Sequence, residues 1–308
     1  MNFNEEQVIS EISSIFSQSN KGNSQVIVGI GDDAAVVATD HHSVITTDMA
    51  IEGVHFKREW SSAYEIGSKI TVANLADIYA MGADPRYLVI ALTLTGNEEL
   101  SWIRELAQGI ADTALKSDSV VVGGDLSRAE QIMISMTAVG SSRLHITRSG
   151  ARAGDSIYVS ALPGFSRAGF EILTKNLPHS PAFARALSQF KSPKLDPVAM
   201  RSFKSAHALC DVSDSLLVQA EQISKASSVA FEIDTKKIEK CDGFADLAAV
   251  AQTIGCDVWD FVLAGGEDHV LLATGVNLPG ICIGRVIDGS GVKVLDMKKA
   301  PDSWRHFN

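Results

Sequence analysis

Val44-Ile45-Thr46-Thr47-Asp48 sets the reading of the whole chain: a β-branched run, two threonines, then a carboxylate. β-Branching predicts a strand over 43–47, and the aspartate falls where that strand ends. The same order of an apolar run, small residues and an acid recurs. It is found in Val28-Gly29-Ile30-Gly31-Asp32-Asp33, in Val121-Val122-Gly123-Gly124-Asp125, in Cys210-Asp211-Val212-Ser213-Asp214 and in Leu263-Ala264-Gly265-Gly266-Glu267-Asp268.

Other elements follow outward from these strings. Strands are predicted over 26–30, 87–95, 119–122 and 131–139, and an amphipathic helix over 5–18. A helix over 62–81 opens on Ser62 with Glu65 three residues on, a capping box in which each side chain satisfies a backbone N–H, and Gly82 suits its end. A second helix covers 98–116. Beyond Arg143 the pattern restarts, with strands at 156–160, 229–233, 262–263, 270–273 and 281–286. Helices lie at 167–175, 181–190, 198–209, 214–226 and 244–254, and Ser180-Pro181 is a good helix start. Strands and helices mix without strict alternation, which predicts an α+β fold class of two α/β domains, 1–142 and 143–308.

Bulk properties narrow the function. A chain of 308 residues with 45% hydrophobic and 21% charged residues is globular rather than disordered. Its net charge of −10 argues against a nucleic-acid partner, which needs a basic footprint. It does not oppose nucleotides held through Mg²⁺, a cation that carboxylates bind. Cys210, Cys241, Cys256 and Cys282 form no C-x-x-C pair, so they read as reduced thiols rather than zinc ligands. Residues 1–10 have no signal-peptide pattern, and the apolar runs at 87–97 and 131–142 fall short of the ~20 residues of a membrane span. A cytoplasmic protein without a membrane partner is expected.

Asp77 differs from the other acids. It lies inside the 62–81 helix, one turn from Asn74 and beside Leu75, Ile78 and Met81, so its carboxylate is expected to be partly buried. Buried carboxylates repel one another and need compensation. Basic residues are sparse beside the strings, and divalent metal shared with phosphate is the simplest compensation. A single Gly-Asp or Ser-Asp is more often a turn or a cap. Several such strings in one chain shift the balance to a metal-phosphate enzyme. Gly29-Ile30-Gly31-Asp32-Asp33-Ala34 fits G-x-G-x-x-G/A formally, with Asp48 at the place of a ribose-binding acid, but Asp32 and Asp33 would repel a pyrophosphate unless metal intervenes. No G-x-x-x-x-G-K-[ST] is present, which excludes a P-loop.

Taken together, the strings resemble the thiamine-monophosphate kinase family, of the aminoimidazole-ribonucleotide-synthetase-like superfamily. The matching stretches are Gly31–Ala35, Thr46–Phe56 (TTDMAIEGVHF), Ala73–Ala83 (ANLADIYAMGA), Gly123–Asp125, Arg148–Asp155 (RSGARAGD), Asp211–Asp214, Gly265–Asp268 and Trp304–Phe307, in the family's order. The resemblance implies a homodimer whose N-terminal-domain sheets form a barrel across the two-fold, with a C-terminal α/β sandwich. It implies direct in-line phosphoryl transfer from ATP to thiamine phosphate, giving thiamine diphosphate. ATP would be co-substrate with several Mg²⁺ ions, and a monovalent cation stays open. It implies Asp32, Thr47, Asp48, Asp77, Asp125, Asp211 and Asp214 as Mg²⁺ ligands, with catalysis electrostatic through Asp32, Asp48, Asp77 and Asp214 and no nucleophile or base. Thr46, Gly124, Asp125, Arg148 and Ser213 become nucleotide contacts, and His55, Glu267 and Trp304 contacts to thiamine phosphate.

The chain departs from the family's pattern at several places. Ser215 stands where glycine follows D-V-S-D, Ala76 where serine is common, His269 and Val270 where Tyr and Glu follow G-G-E-D, and Leu126-Ser127 where threonines follow G-G-D. These bear on acceptor specificity and rate. Two alternatives stay open: a superfamily member with a different acceptor, and a non-catalytic nucleotide-binding homologue. Selenophosphate synthetase and the hydrogenase-maturation relatives need cysteines in an N-terminal glycine-rich segment or at the C-terminus, and neither is present.

Overall fold

The computed structural model describes residues 5–28, 30, 36–178 and 180–301, and the side chains of all of these but 5, 6, 27, 28 and 36. The chain divides into two units, Met1–Ile78 with Ala83–Arg143 and Tyr79–Gly82 with Leu144–Asn308.

The first unit opens with α1 (Glu5–Ser19) and a short antiparallel ribbon of β1 (Val26–Val28) and β2 (Val36–Val37). β3 (His42–Ile51), α2 (Ala63–Ala80), β4 (Asp84–Leu94), α3 (Leu100–Lys116), β5 (Val120–Arg128) and β6 (Met133–Ser142) follow. The sheet runs β3-β6-β4-β5, and only β4 and β5 are parallel. Its inner face buries Leu88, Ile90, Leu92, Ile134, Met136 and Ala138. The predicted capping box forms: the Ser62 N–H donates to Glu65 Oε2 at 2.9 Å and the Glu65 N–H to Ser62 Oγ at 3.2 Å. α2 is buried on most sides, and glycine sets how closely α3 packs on it. A Cβ on Gly109 would overlap the Tyr64 carbonyl oxygen, and one on Gly67 the Leu106 carbonyl oxygen.

Two acids that the sequence places at strand ends lie inside strands. Asp48 is within β3 and Asp125 within β5, both longer than β-branching alone predicts. Cross-strand pairing carries β3 to Ile51, opposite Met133, and β5 to Arg128, opposite Leu94. The sheet is open within one chain, so no closed barrel forms there, and β3 and β5 are its edges.

The second unit holds β7 (Ser156–Val159), α4 (Phe165–Thr174), α5 (Ala184–Lys191), α6 (Pro197–Arg201), β8 (Ala208–Asp211), α7 (Leu216–Ser227) and β9 (Ala230–Asp234). It continues through α8 (Thr235–Ile238), α9 (Phe244–Ile254), α10 (Val258–Val262), β10 (Leu271–Gly275), β11 (Ile281–Ile287) and β12 (Gly291–Leu295). The sheet order is β12-β9-β11-β7-β10-β8, antiparallel except for β9 with β12. The core includes Ile157, Phe231, Phe261 and Leu272. The helix predicted over 198–209 is in fact the short α6 and then β8, because pairing of 208–211 with β10 overrides local helix propensity. The strand predicted at 262–263 is the end of α10, whose start Asp257 caps by accepting the Trp259 N–H at 3.0 Å. Among the described residues no helix is long and apolar enough to cross a membrane.

The α2–α3 contact yields a test. Gly109→Ala would drive a methyl group into backbone that cannot swing away, at a cost of about 2–3 kcal/mol. Urea denaturation should show a lower midpoint for the first unit, and an unchanged midpoint would mean that the helices separate freely.

Candidate functional site

In the first unit the geometry starts from strand alternation. Thr46 and Asp48 lie on one face of β3 and Thr47 on the other. The Thr46 hydroxyl donates to Asp77 Oδ2 on α2 at 2.6 Å, which joins two of the predicted residues directly. One turn earlier on α2, buried Asn74 donates to the Ile70 carbonyl at 2.9 Å, and its own oxygen has no partner among the described residues. The Thr47 hydroxyl donates to the Met136 carbonyl at 3.0 Å and accepts from Thr137 at 3.2 Å, so its side chain stands apart from Thr46 and Asp48.

After β3 the chain folds back through Gly53, in a left-handed conformation with φ 82°. The Gly53 N–H donates to the Phe56 carbonyl at 2.7 Å and the His55 N–H to the Ile51 carbonyl at 2.9 Å. The Ile51 N–H donates to His55 Nδ1 at 3.1 Å, which makes Nε2 the protonated nitrogen of the neutral ring.

Asp125 lies at the far edge of the sheet. Register carries Asp48 through Met136 and Ile90 to Gly124, three strand spacings or roughly 14 Å away. Asp125 pairs with Ala91, which puts it on the face opposite Asp48. The Ser127 hydroxyl donates to Asp125 Oδ2 at 3.1 Å, so Ser127 holds the carboxylate that the sequence singles out. Gly124 has a structural reason of its own, since a Cβ there would overlap the Ile90 carbonyl oxygen. Beside Gly123, Gly124 and Asp125 lies a cavity of about 400 Å³, lined chiefly by apolar side chains including Ile12, Phe16, Ile90 and Leu106.

In the second unit two strings separated by about fifty residues run side by side. The Glu267 N–H donates to the Ser213 carbonyl at 2.7 Å, the His269 N–H to the Val212 carbonyl at 3.1 Å and the Val212 N–H to the Val270 carbonyl at 2.7 Å. Gly266 lies against the Ser213 and Asp214 carbonyls, where a Cβ would overlap both. Asp211, Ser213, Asp214 and Glu267 are thereby gathered in one place. Gln219 donates to Ser213 Oγ at 3.3 Å, and its buried oxygen has no partner among the described residues.

Arg148 opens the short turn that packs on α7 and β8. Burial, with neighbouring Asp211, pushes the Cys210 thiol up, and the Arg148 charge opposes that shift. Ser215, where the family has glycine, has an extended backbone (φ −172°) and accepts the Val218 N–H at 3.1 Å, capping α7. The position needs no glycine conformation, and serine supplies a helix cap. His269 Nδ1 lies 3.4 Å from Asp211 Oδ2, a contact that inspection of the sequence does not reveal.

Oxygen donors dominate each cluster: carboxylates, hydroxyls and the unpartnered amide oxygens of Asn74 and Gln219. They suit Mg²⁺ in kind. Among the described residues no three His, Cys, Asp or Glu side chains converge on one point. That arrangement is compatible with an ion taking one or two carboxylates and completing its shell with phosphate oxygens and water. Asp32 and Trp304 lie outside the described residues.

Fold and site together define a protein of the AIR-synthase-related class: residues 31–142 match the family model described as AIR synthase related protein, N-terminal domain. A thiamine-monophosphate kinase of Mycobacterium tuberculosis is 35% identical over 277 residues, spanning 88% of this chain and 82% of the relative. The crystal structure of thiamine-monophosphate kinase from Stenotrophomonas maltophilia superposes with a TM-score of 0.82 at 27% identity, over 92% of this chain and 95% of that one. AaThiL complexed with AMPPCP and TMP gives a TM-score of 0.80 at 30% identity over 100% of both chains. The chain belongs to the thiamine-monophosphate kinase family and is an enzyme of that class.

Asp268 gives the site a pH signature. Burial pushes its carboxyl up to about 6, against the pull of the Gly164 and Ser166 N–H groups and of His269. Unfolded, the group releases its proton near pH 4. Between about pH 4 and about pH 6 the folded state holds a proton that the unfolded chain has lost, so this group's contribution to stability falls as pH rises, then levels off. The thermal midpoint of the wild type relative to Asp268→Asn should therefore decline across that window. Parallel pH curves for the two proteins would contradict it.

Proposed function

We propose that the chain transfers the terminal phosphoryl group of ATP directly to thiamine phosphate, giving thiamine diphosphate and ADP in the cytoplasm. The observation that carries this reading is the likeness, at 30% identity over the whole of both chains, to AaThiL complexed with AMPPCP and TMP. In this reading Asp32, Asp48, Asp77, Asp125, Asp211 and Asp214, with Thr47, hold several Mg²⁺ ions. When bound, Mg²⁺ supplies charge neutralisation at the phosphates.

The chain's own groups do the positioning. Thr46 orients the Asp77 carboxylate. Arg148 offers a planar fork to phosphate, and Ser213 and Gly124 line the nucleotide's path. The cavity beside Gly124 has the size of a small-molecule site and the apolar lining that a base needs. His55 donates through Nε2 to the acceptor phosphate, Glu267 faces the cationic ring, and Trp304 stacks on it. The acceptor oxygen is already ionised near neutral pH, so the transfer needs no general base and forms no covalent intermediate. Residues 1–142 serve dimerisation and metal-phosphate binding, and 143–308 serve nucleotide and acceptor.

Incubation with ATP, Mg²⁺ and thiamine phosphate should yield thiamine diphosphate. EDTA should abolish turnover, and Asp48→Asn should lower it roughly 100-fold or more. Full turnover in Asp48→Asn would remove the metal role of that residue. Tight Mg²⁺-ATP binding without product would mean a different acceptor.

The dimer with a barrel across its two-fold belongs to the same proposal. β3 is a ten-residue edge strand with Ile45 66% and Met49 46% exposed, and β5 is the opposite edge. Long edges of this kind pair with another chain unless they are covered. Sedimentation should give twice the chain's 32.9 kDa mass, and Ile45→Lys should shift it towards the monomer. A monomeric wild type would end the barrel proposal.

A further inference from the structure

The loop over 265–269 is held more firmly than a turn requires. Glu267 and His269 both have left-handed backbones, with φ 61° and 53°, which residues other than glycine adopt rarely. Between them Asp268 is buried, and its carboxylate accepts the Gly164 N–H at 2.6 Å and the Ser166 N–H at 3.0 Å. These groups open α4, whose own N-cap residue, Gly164, supplies no side-chain cap. Gln189 on α5 donates to the Asp268 carbonyl at 3.1 Å. On the other side, the N–H groups of Glu267 and His269 are bound to the Ser213 and Val212 carbonyls. Of the three residues 267–269, only Glu267 is not buried.

We propose that Asp268 is a positioning residue for acceptor binding: its carboxylate pins the loop to the start of α4, so that the Glu267 carboxylate is presented at a fixed place to the cationic ring of the acceptor. An ordinary cap does not need a carboxylate in this position, because serine or asparagine caps a helix without a buried charge. Here the two N–H donors reach separate oxygens, Gly164 to Oδ2 and Ser166 to Oδ1, and a carboxylate offers an acceptor to each. Asparagine has one oxygen and would turn its amino group towards the other donor. The charge-assisted pair holds the loop against two left-handed residues.

The inference rests on the reading of Glu267 as an acceptor contact, so the test separates the two. Kinetics are measured for Glu267→Gln, Asp268→Asn and the double variant. Glu267→Gln should raise KM for thiamine phosphate roughly tenfold, the loss of one charged contact. Asp268→Asn should raise the same KM about fivefold, with KM for ATP unchanged. The double variant should be no worse than Glu267→Gln alone, because both act through one group. Independent, multiplying effects, or a lowered melting temperature with unchanged KM, would overturn the proposal and leave Asp268 a helix cap.

If Glu267→Gln leaves KM unchanged, the acceptor reading of Glu267 fails. Amide hydrogen exchange then still reads the anchor: faster exchange at Glu267 and His269 in Asp268→Asn supports pinning, and unchanged exchange refutes it. Should Asp268→Asn not fold, Gln189→Ala, which cuts only the tie to the Asp268 carbonyl, is measured in the same ways and must show the same KM split.

Discussion

Carboxylates cannot hold one another in place, and every proposed site of this protein depends on how that repulsion is handled. With few cations beside the acidic strings, the main chain fixes the positions. In the second unit Gly266 brings one acidic loop against the carbonyls of another, and three backbone hydrogen bonds lock the pair. In the first unit β3 and α2 are joined through the Thr46 hydroxyl, a donor that steadies Asp77 without neutralising it. An arginine in that place would form an ion pair and lower the demand for metal. A hydroxyl orients the carboxylate without cancelling its charge.

The same logic accounts for what could be read from the sequence. Asp48, Asp77, Asp125, Asp211, Asp214 and Glu267 stand out because aspartate after a β-branched run, or inside an apolar helix, is costly unless it is used. The capping box at Ser62 and Glu65 is legible because it is local. The 198–209 segment was not, because its strand exists only by pairing with β10, some sixty residues away. Nor was the shared face of Thr46 and Asp48, which follows from continuation of β3 past the threonines. The roles of Ser127, His269 and Asp268 also lie beyond sequence, since each depends on a neighbour's direction rather than on spacing.

The departures from the family pattern are unequal once seen in place. Ser215 is absorbed: extended backbone accepts any residue, and the serine caps α7. Ser127 still offers a hydroxyl, and it bonds to Asp125. His269 is the departure with chemical content. It sets an imidazole beside buried Asp211, and it does so from a left-handed backbone. Of the two positions, His269 rather than Ser215 brings a new polar contact to the cluster.

Asp48 and Asp125 state a constraint that a single chain does not meet. They stand three strands apart and on opposite faces of one sheet, roughly 14 Å by strand spacing, while an ion bound to both would need oxygens about 4 Å apart. A β-sheet is too stiff to bring its two edges together without breaking the register that builds it. Under the proposed metal roles, these two aspartates of one chain serve different ions or one of them comes from a second copy. Both arrangements keep the sheet intact, and both leave Thr46, Asp48 and Asp77 as the group that the first unit assembles by itself.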